Sequence, residues 1–328
     1  MIKSLITGVG GFVASHLADY LLEMKEEVIG TYRWNEDLQR IKHLKNKITM
    51  TELDLNDLSS CLTVIKYYKP QYIYHLAAQS YVSDSFVYPA ETIRINTIGT
   101  VNLLEAIRLI RQDDKEYDPI VHVCSSSEVY GLVSEKDIPI KETCQFNPSN
   151  PYAVGKVGED MVALMYFTNY GIKTIRTRMF THTGPRRTMM SAECNFAKQI
   201  AEIEKNTIFN NETFELKHGN LNSIRTWADV RDAVRAYYLL VRKCKPGEVY
   251  NIGGNTSKTV GEMLDYLISL SYAKDYINKE LDPKLLRPYD VTLQIPDCSK
   301  FKNETGWEPT YTFEQTMQDL LQWWRENV

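Results

Sequence analysis

Short apolar runs alternate with longer amphipathic stretches along the first half of the chain. SLIT (4–7) leads into a glycine turn and then ASHLADYLLEM (14–24), whose apolar positions recur at helical spacing. EVIGTY (27–32) predicts a second strand, and YIYHLAA (72–78) another, followed after a loop by the helix NTIGTVNLLEAIRLI (96–110). PIVHVCSSS (119–127) predicts a further strand, NPYAVGKVGEDMVALMYFTNYG (150–171) a long helix, and KTIRTRMF (173–180) a return to the sheet. Strands that alternate with helices in this way pair in parallel, and most of these runs are apolar on both faces, as buried parallel strands are.

After about Phe180 the pattern loosens. ECNFAKQIAEIEK (193–205), VRDAVRAYYLLVRK (230–243) and FEQTMQDLLQWWREN (313–327) predict helices, and EVYNIGG (248–254) a late strand. This suits a cofactor domain over 1–180 with segments near 221–255 returning to it, and a mainly substrate-binding domain over 181–328.

Composition narrows the function classes. The 328 residues are 43% hydrophobic and 24% charged, the mix of an ordinary globular protein, and the net charge of −4 comes with no long basic run. Nucleic acid and anionic membrane are therefore poor partners, although a few local arginines can still hold a phosphate. The six cysteines are widely spaced with no CxxC pair, which argues against zinc and against a disulfide framework. No apolar run is long enough to span a bilayer, and Ile2–Thr7 runs straight into glycines without signal-peptide anatomy. The cytoplasm is the expected compartment.

Chemistry enters with TGVGGFVASHL, which sets Gly8, Gly11 and Ala14 at the small positions of a TGxxGxx(G/A) loop. Small residues let the backbone approach a pyrophosphate, while the following helix supplies free N–H donors and a partial positive charge. The loop follows the first strand and opens a helix, so it predicts dinucleotide binding. The fold class expected is α/β, a Rossmann-type doubly wound parallel sheet with a smaller mixed α/β C-terminal substrate domain. At the end of the second strand an acid would select NAD by bonding the ribose hydroxyls. Arg33 stands there instead, with Arg40 further on, and a guanidinium forks onto phosphate. NADP is the expected cofactor. Asp54, after the next strand, is placed to accept from the adenine amino group.

Tyr152 and Lys156 lie at i, i+4 on one helix face. The lysine charge favours a tyrosinate, so that Tyr152 can take a proton from a hydroxyl as hydride leaves the same carbon. Upstream, CSSSEVYG ends a strand at the carboxyl edge of the sheet, where ligands bind, and offers Ser125, Ser126, Ser127 and Glu128 together.

Five motifs in order, TGxxGFxx, LAAQS, SSSEVYG, NPYAVGK and RMFTHTGPRR, resemble the extended short-chain dehydrogenase/reductase superfamily over essentially the whole chain. Within it the chain is similar to the GDP-mannose 4,6-dehydratase family and its relative, GDP-4-keto-6-deoxy-mannose reductase. The dehydratases carry a Thr-(Ser/Asp)-Glu run before their VYG or LYG, where this chain has Ser126-Ser127-Glu128. The resemblance implies that Tyr152 deprotonates the C4 hydroxyl as NADP takes hydride, that Glu128 removes the C5 proton and protonates the departing C6 hydroxyl, and that hydride returns to C6. It also places Phe12, Val13, Leu55, Leu76, Ala77, Ala78, His182 and Arg187 against the cofactor, together with the Tyr–Lys pair. On the substrate side it places Ser80, Asn96, Lys198, Arg225, Arg287 and Asp290, the last two in RPYD, an element that holds the nucleotide. Thr97 is expected to cap the helix that follows it. The implied substrate is GDP-mannose or a GDP-D-glycero-manno-heptose, and a homodimer or homotetramer is implied for the assembly. Two departures from the dehydratase pattern keep an alternative open, a 4-keto-6-deoxy-sugar reductase or related epimerase. The phosphate loop reads TGVGGFVA rather than TGxxGQDG, and LLRPYDV…CSKFKNETGWEP is close to the reductase branch.

Overall fold

Thirteen strands and eleven helices are found among the residues described by the computed structural model, 1–207, 212–286 and 291–328. The first half runs β1 (Lys3–Thr7), α1 (Phe12–Glu23), β2 (Glu27–Tyr32), β3 (Thr49–Glu52), α2 (Leu58–Tyr68) and β4 (Tyr72–His75). It continues with α3 (Val82–Val87), α4 (Pro89–Ile93), α5 (Gly99–Asp113), β5 (Ile120–Ser126), α6 (Pro151–Tyr170) and β6 (Lys173–Met179). The second half holds β7 (His182–Thr183), α7 (Ala192–Thr207), β8 (Phe214–His218), β9 (Ile224–Asp229), α8 (Val230–Lys243) and β10 (Val249–Ile252). It ends with β11 (Thr256–Thr259), α9 (Val260–Ser269), β12 (Ile277–Leu281), β13 (Leu293–Gln294), α10 (Ser299–Thr305) and α11 (Phe313–Asn327).

Seven strands pair in parallel in the order β10-β6-β5-β4-β1-β2-β3. β4 lies on one side of β1 and β2 on the other, so the winding reverses at β1 and opens a crevice at the carboxyl ends of β1 and β4. Helices cover both faces: α1 and α8 pack in one apolar core with Phe301 and Trp307, while α2, α5 and α6 contribute to the other. This is the Rossmann-like α/β architecture. The chain leaves the sheet after β6 and comes back with α8 and β10, which pairs with β6 from Val249↔Arg176 to Ile252↔Met179. Around β9 a second sheet gathers β11 antiparallel and β13 and β7 in parallel, and β8 pairs with β12 in a separate two-stranded sheet among the described residues. Helices α7, α9 and α11 bury a third core against these strands.

Thr97 does not cap a helix. The chain is already helical from Pro89, passes through one π turn at Arg94–Ile98, and continues into α5. Two glycines of α6 make room for that wider turn. A Cβ on Gly155 would meet Asn96 Cβ at 3.2 Å, and one on Gly158 would lie 2.3 Å from Thr97 Oγ1. The Thr97 hydroxyl instead donates to the Gly155 carbonyl at 3.2 Å.

Candidate active site

The crevice is floored by the glycine loop. Gly8 has φ +69°, a left-handed conformation that favours glycine, and a Cβ there would come within 3.0 Å of Ala77 Cα. Gly11 N–H donates to the Gly8 carbonyl at 2.9 Å and closes the turn. Gly11 then stands at the N-cap of α1, where it has no side chain to occupy the first-turn N–H groups of Phe12, Val13 and Ala14. A side chain would fill this loop, and an incoming phosphate would find open donors, so the residues fit a dinucleotide. Thr7 Oγ1 accepts from the N–H groups of Leu76 and Ala77, both at 3.0 Å, and so fastens the end of β1 to the segment after β4. Ala78 continues that segment, and Ser80 is exposed beyond it.

Arg33 follows β2 directly and is exposed; its backbone N–H donates to the Glu36 carboxylate at 2.9 Å. Arg40 reaches over the loop, donating to the carbonyls of Arg186 at 2.8 Å and Gly10 at 3.4 Å. Asp54 is exposed and turns its carboxylate to the N–H of Asn56, while Leu55 is buried beside Gly99. His182 stacks on Phe12 with ring centres 6.1 Å apart, and the Arg187 guanidinium sits over the same ring at 5.3 Å. Arg187 also bonds the His182 carbonyl at 2.6 Å and pairs with Glu193 at 2.9 Å. Burial, with the Arg187 charge added, pushes His182 down to about 4, so its ring is neutral at physiological pH.

The end of β5 carries the candidate reactive cluster. Ser126 Oγ accepts from the Glu128 N–H at 3.2 Å, capping the short 3-10 turn Ser127–Tyr130, and its hydroxyl reaches the Tyr152 phenol. Asn150 caps α6 by accepting from the Ala153 N–H at 2.8 Å, and its amide donates to Glu128 Oε2 at 3.2 Å. Gln294 of β13 donates to Glu128 Oε1 at 3.3 Å, its own carbonyl oxygen being held by the Ser127 hydroxyl at 3.1 Å. Glu128 is thus gripped by amides from two distant parts of the chain.

One turn into α6, Lys156 donates from Nζ to the Cys124 carbonyl and to Glu159 Oε2, both at 2.7 Å, and lies 6.0 Å from the Tyr152 ring centre. Burial raises the Tyr152 phenol above its ordinary range, while the Lys156 charge and the Ser126 hydrogen bond pull it back. Tyrosine, lysine, serine and glutamate together can take a proton from a hydroxyl and, beside it, abstract and deliver another.

The remaining sequence-predicted groups divide. Asn96 spends both ends of its amide on the Gln79 backbone, at 2.9 and 3.1 Å, and is buried, so it shapes the loop beside the crevice rather than offering a free polar contact. Lys198 is half-buried on α7, paired with Glu202 at 3.4 Å. Arg225 lies in β9 directly opposite Gln294 in β13, so its strand is one ladder step from the residue that holds Glu128. Arg287 and Asp290 lie outside the described residues. Asn150, Gln294 and Glu159 were not singled out from sequence. An Asn before Pro-x-x at a helix start is an N-cap signal and gave a route to the first. Gln294 had none, because β13 is only two residues long.

A family model described as GDP-mannose 4,6 dehydratase matches residues 5–320. A GDP-mannose 4,6-dehydratase of Yersinia enterocolitica is 30% identical, over 98% of this chain and 93% of that protein. A GDP-6-deoxy-D-mannose reductase of Pseudomonas aeruginosa is 28% identical, over 99% of this chain and 98% of that one. Among solved structures, RMD from Pseudomonas aeruginosa complexed with NADPH superposes with a TM-score of 0.82 at 26% identity, covering 100% of both chains. On the match of nearly its whole length, and on the glycine loop and reactive cluster just described, the chain belongs to the GDP-mannose 4,6-dehydratase family.

Proposed function

We propose that the protein is an NADP-dependent 4,6-dehydratase of a GDP-linked sugar, GDP-mannose or a GDP-manno-heptose, forming the 4-keto-6-deoxy product. The observation that carries this reading is Glu128, held by Asn150 and Gln294 next to the Tyr152–Lys156 pair. The fit of the glycine loop to a dinucleotide supports the cofactor, and a nicotinamide bound there would accept hydride from C4 and return it at C6. Tyr152 Oη takes the C4 hydroxyl proton, helped by the Lys156 charge. The ketone formed at C4 makes the C5 proton acidic. Glu128 removes that proton and passes one to the C6 hydroxyl, which departs as water, and C5 is later reprotonated. The balance is the loss of one water with no net redox change.

NADP is favoured over NAD by Arg33, whose exposed guanidinium follows the strand where an acid would repel a 2′-phosphate. Arg33→Ala is expected to weaken NADPH by roughly 10–100-fold, the worth of a charge-assisted contact, and to leave NADH nearly unchanged. Titration with both cofactors checks it. Tighter NADH binding by the parent protein would remove the assignment.

The reductase reading is favoured by the alignment of the whole chain with GDP-6-deoxy-D-mannose reductase, beside the departures in the phosphate loop and the C-terminal segment. Incubation with GDP-mannose and GDP-manno-heptose without added reductant separates the two. A product lighter by one water supports the dehydratase. Inert GDP-sugars, with two hydrogens gained by a 4-keto substrate only when NADPH is supplied, would establish the reductase instead.

A further inference from the structure

Glu159 is a buried acid to which the mechanism assigns no part. It lies three residues beyond Lys156 on α6, is 1% exposed, and its Oε2 pairs with the equally sequestered Lys156 ammonium at 2.7 Å. Its other oxygen, Oε1, has no hydrogen-bond partner among the described residues. The neighbouring acid, Asp160, is differently committed: Arg176 and Arg178 each approach it at 2.9 Å. Two arginines therefore serve one carboxylate, while Glu159 has the lysine of the reactive pair.

We propose that Glu159 is a positioning residue for the Tyr152–Lys156 pair, a built-in counter-ion that offsets part of the Lys156 charge and so tunes the proton affinity of the Tyr152 phenol. The proposal rests on the reading of Tyr152 as proton acceptor. A lysine promotes tyrosinate formation in proportion to its uncompensated charge, and a carboxylate in contact with it weakens that effect at the distance of the phenol. The orientation of Lys156 is set at the same time, because its ammonium is held between Glu159 and the Cys124 carbonyl. Burial raises the Glu159 carboxyl to about 7, against the pull of Lys156, and the Glu159 charge is itself among the influences that raise Tyr152.

The other titratable groups around the pair do not duplicate this part. On α6, Asp160 is engaged by its arginines. On β5, the Cys124 thiol is raised by burial and contacts the Tyr237 hydroxyl of α8 at 3.4 Å, and that hydroxyl is raised in turn. His75 on β4 and His122 on β5 are pushed down to about 3 by burial, so both are neutral at working pH.

The sign follows. Glu159→Gln keeps the shape but leaves the Lys156 charge uncompensated, which favours the tyrosinate and lowers the pH at which Tyr152 ionises. The test is a pH titration of the full-length protein labelled with 13Cζ-tyrosine, with the Tyr152 resonance identified by its loss in Tyr152→Phe. In Glu159→Gln the Tyr152 midpoint is expected to fall by roughly one unit or more. An unchanged or higher midpoint overturns the proposal. Should the glutamine variant not fold, the same titration of Glu159→Ser decides by the same criterion. Turnover as a function of pH is recorded in parallel, and its acid limb should move down with the phenol. A phenol midpoint that moves without the acid limb would defeat Tyr152 as the proton acceptor while leaving the counter-ion in place.

Discussion

Tyr152→Phe is expected to lower turnover by roughly 10²–10⁴-fold, the usual contribution of a positioned general base, with GDP-sugar and NADPH affinities close to those of the parent. The substitution removes one oxygen from the start of α6. Among the described residues it costs the contact with Ser126, while Lys156 keeps its bonds to the Cys124 carbonyl and Glu159, and Asn150 keeps its cap on Ala153. The effect should therefore appear in kcat rather than KM. Single-turnover absorbance at the NADPH band reads the first half-reaction directly, and turnover near the parent rate would show that the proton leaves C4 by another route.

Glu128→Gln separates the dehydratase from the reductase. A reductase adds hydride to a ketone and needs no base at C5, whereas a dehydratase cannot eliminate water without one. In a dehydratase the variant should oxidise C4 and stop there, with a 4-keto sugar that retains its C6 oxygen, cofactor left reduced, and no exchange of the C5 hydrogen with solvent deuterium. The loss of dehydrated product should be large, on the order of 10²-fold or more. The site also predicts how the variant sits. Asn150 and Gln294 both point donors at Glu128, and both amides are anchored from behind, by Ala153 and Ser127. A glutamine offers one oxygen and one NH2 group, so it satisfies only one of them. Thermal melting and cofactor content are therefore measured alongside. Conversion to the 6-deoxy-4-keto product at the parent rate would end the assignment of Glu128 as the base.

Much of the sheet was readable because most of its strands are short, largely apolar runs with helices between them. SLIT, EVIGTY, YIYHLAA, PIVHVCSSS and KTIRTRMF appear as β1, β2, β4, β5 and β6, and EVYNIGG as β10. The later strands were harder to read: β7 and β13 are two residues each, too short for an alternation to register, and β8 (FELKH), β9 (IRTWAD) and β11 (TSKT) are rich in polar residues. Thr97 misled because a hydroxyl before an apolar helical run has the form of a cap, and nothing in the spacing announces a π turn already under way. Tyr152, Lys156 and Glu128 were visible through motif spacing. Gln294 was not, since it meets Glu128 only through the β9–β13 register, 166 residues away in sequence. Glu159 was hidden for another reason: on an ordinary helix an acid three residues from a lysine is a solvated pair, and here it lies on the buried face of α6 with Lys156 and Asp160.

The return of the chain through α8 and β10 has a consequence for synthesis. When the ribosome has made the first 180 residues, six of the seven strands of the large sheet exist, yet the free edge of β6 awaits Val249–Ile252 and the apolar side of α1 awaits α8. An open strand edge beside an uncovered helix face is what aggregates and what holdase chaperones bind. The nucleotide crevice cannot be finished as an early, independent unit. It is locked only after some seventy further residues, β7 and β9 among them, have emerged, so the two halves of this protein mature together.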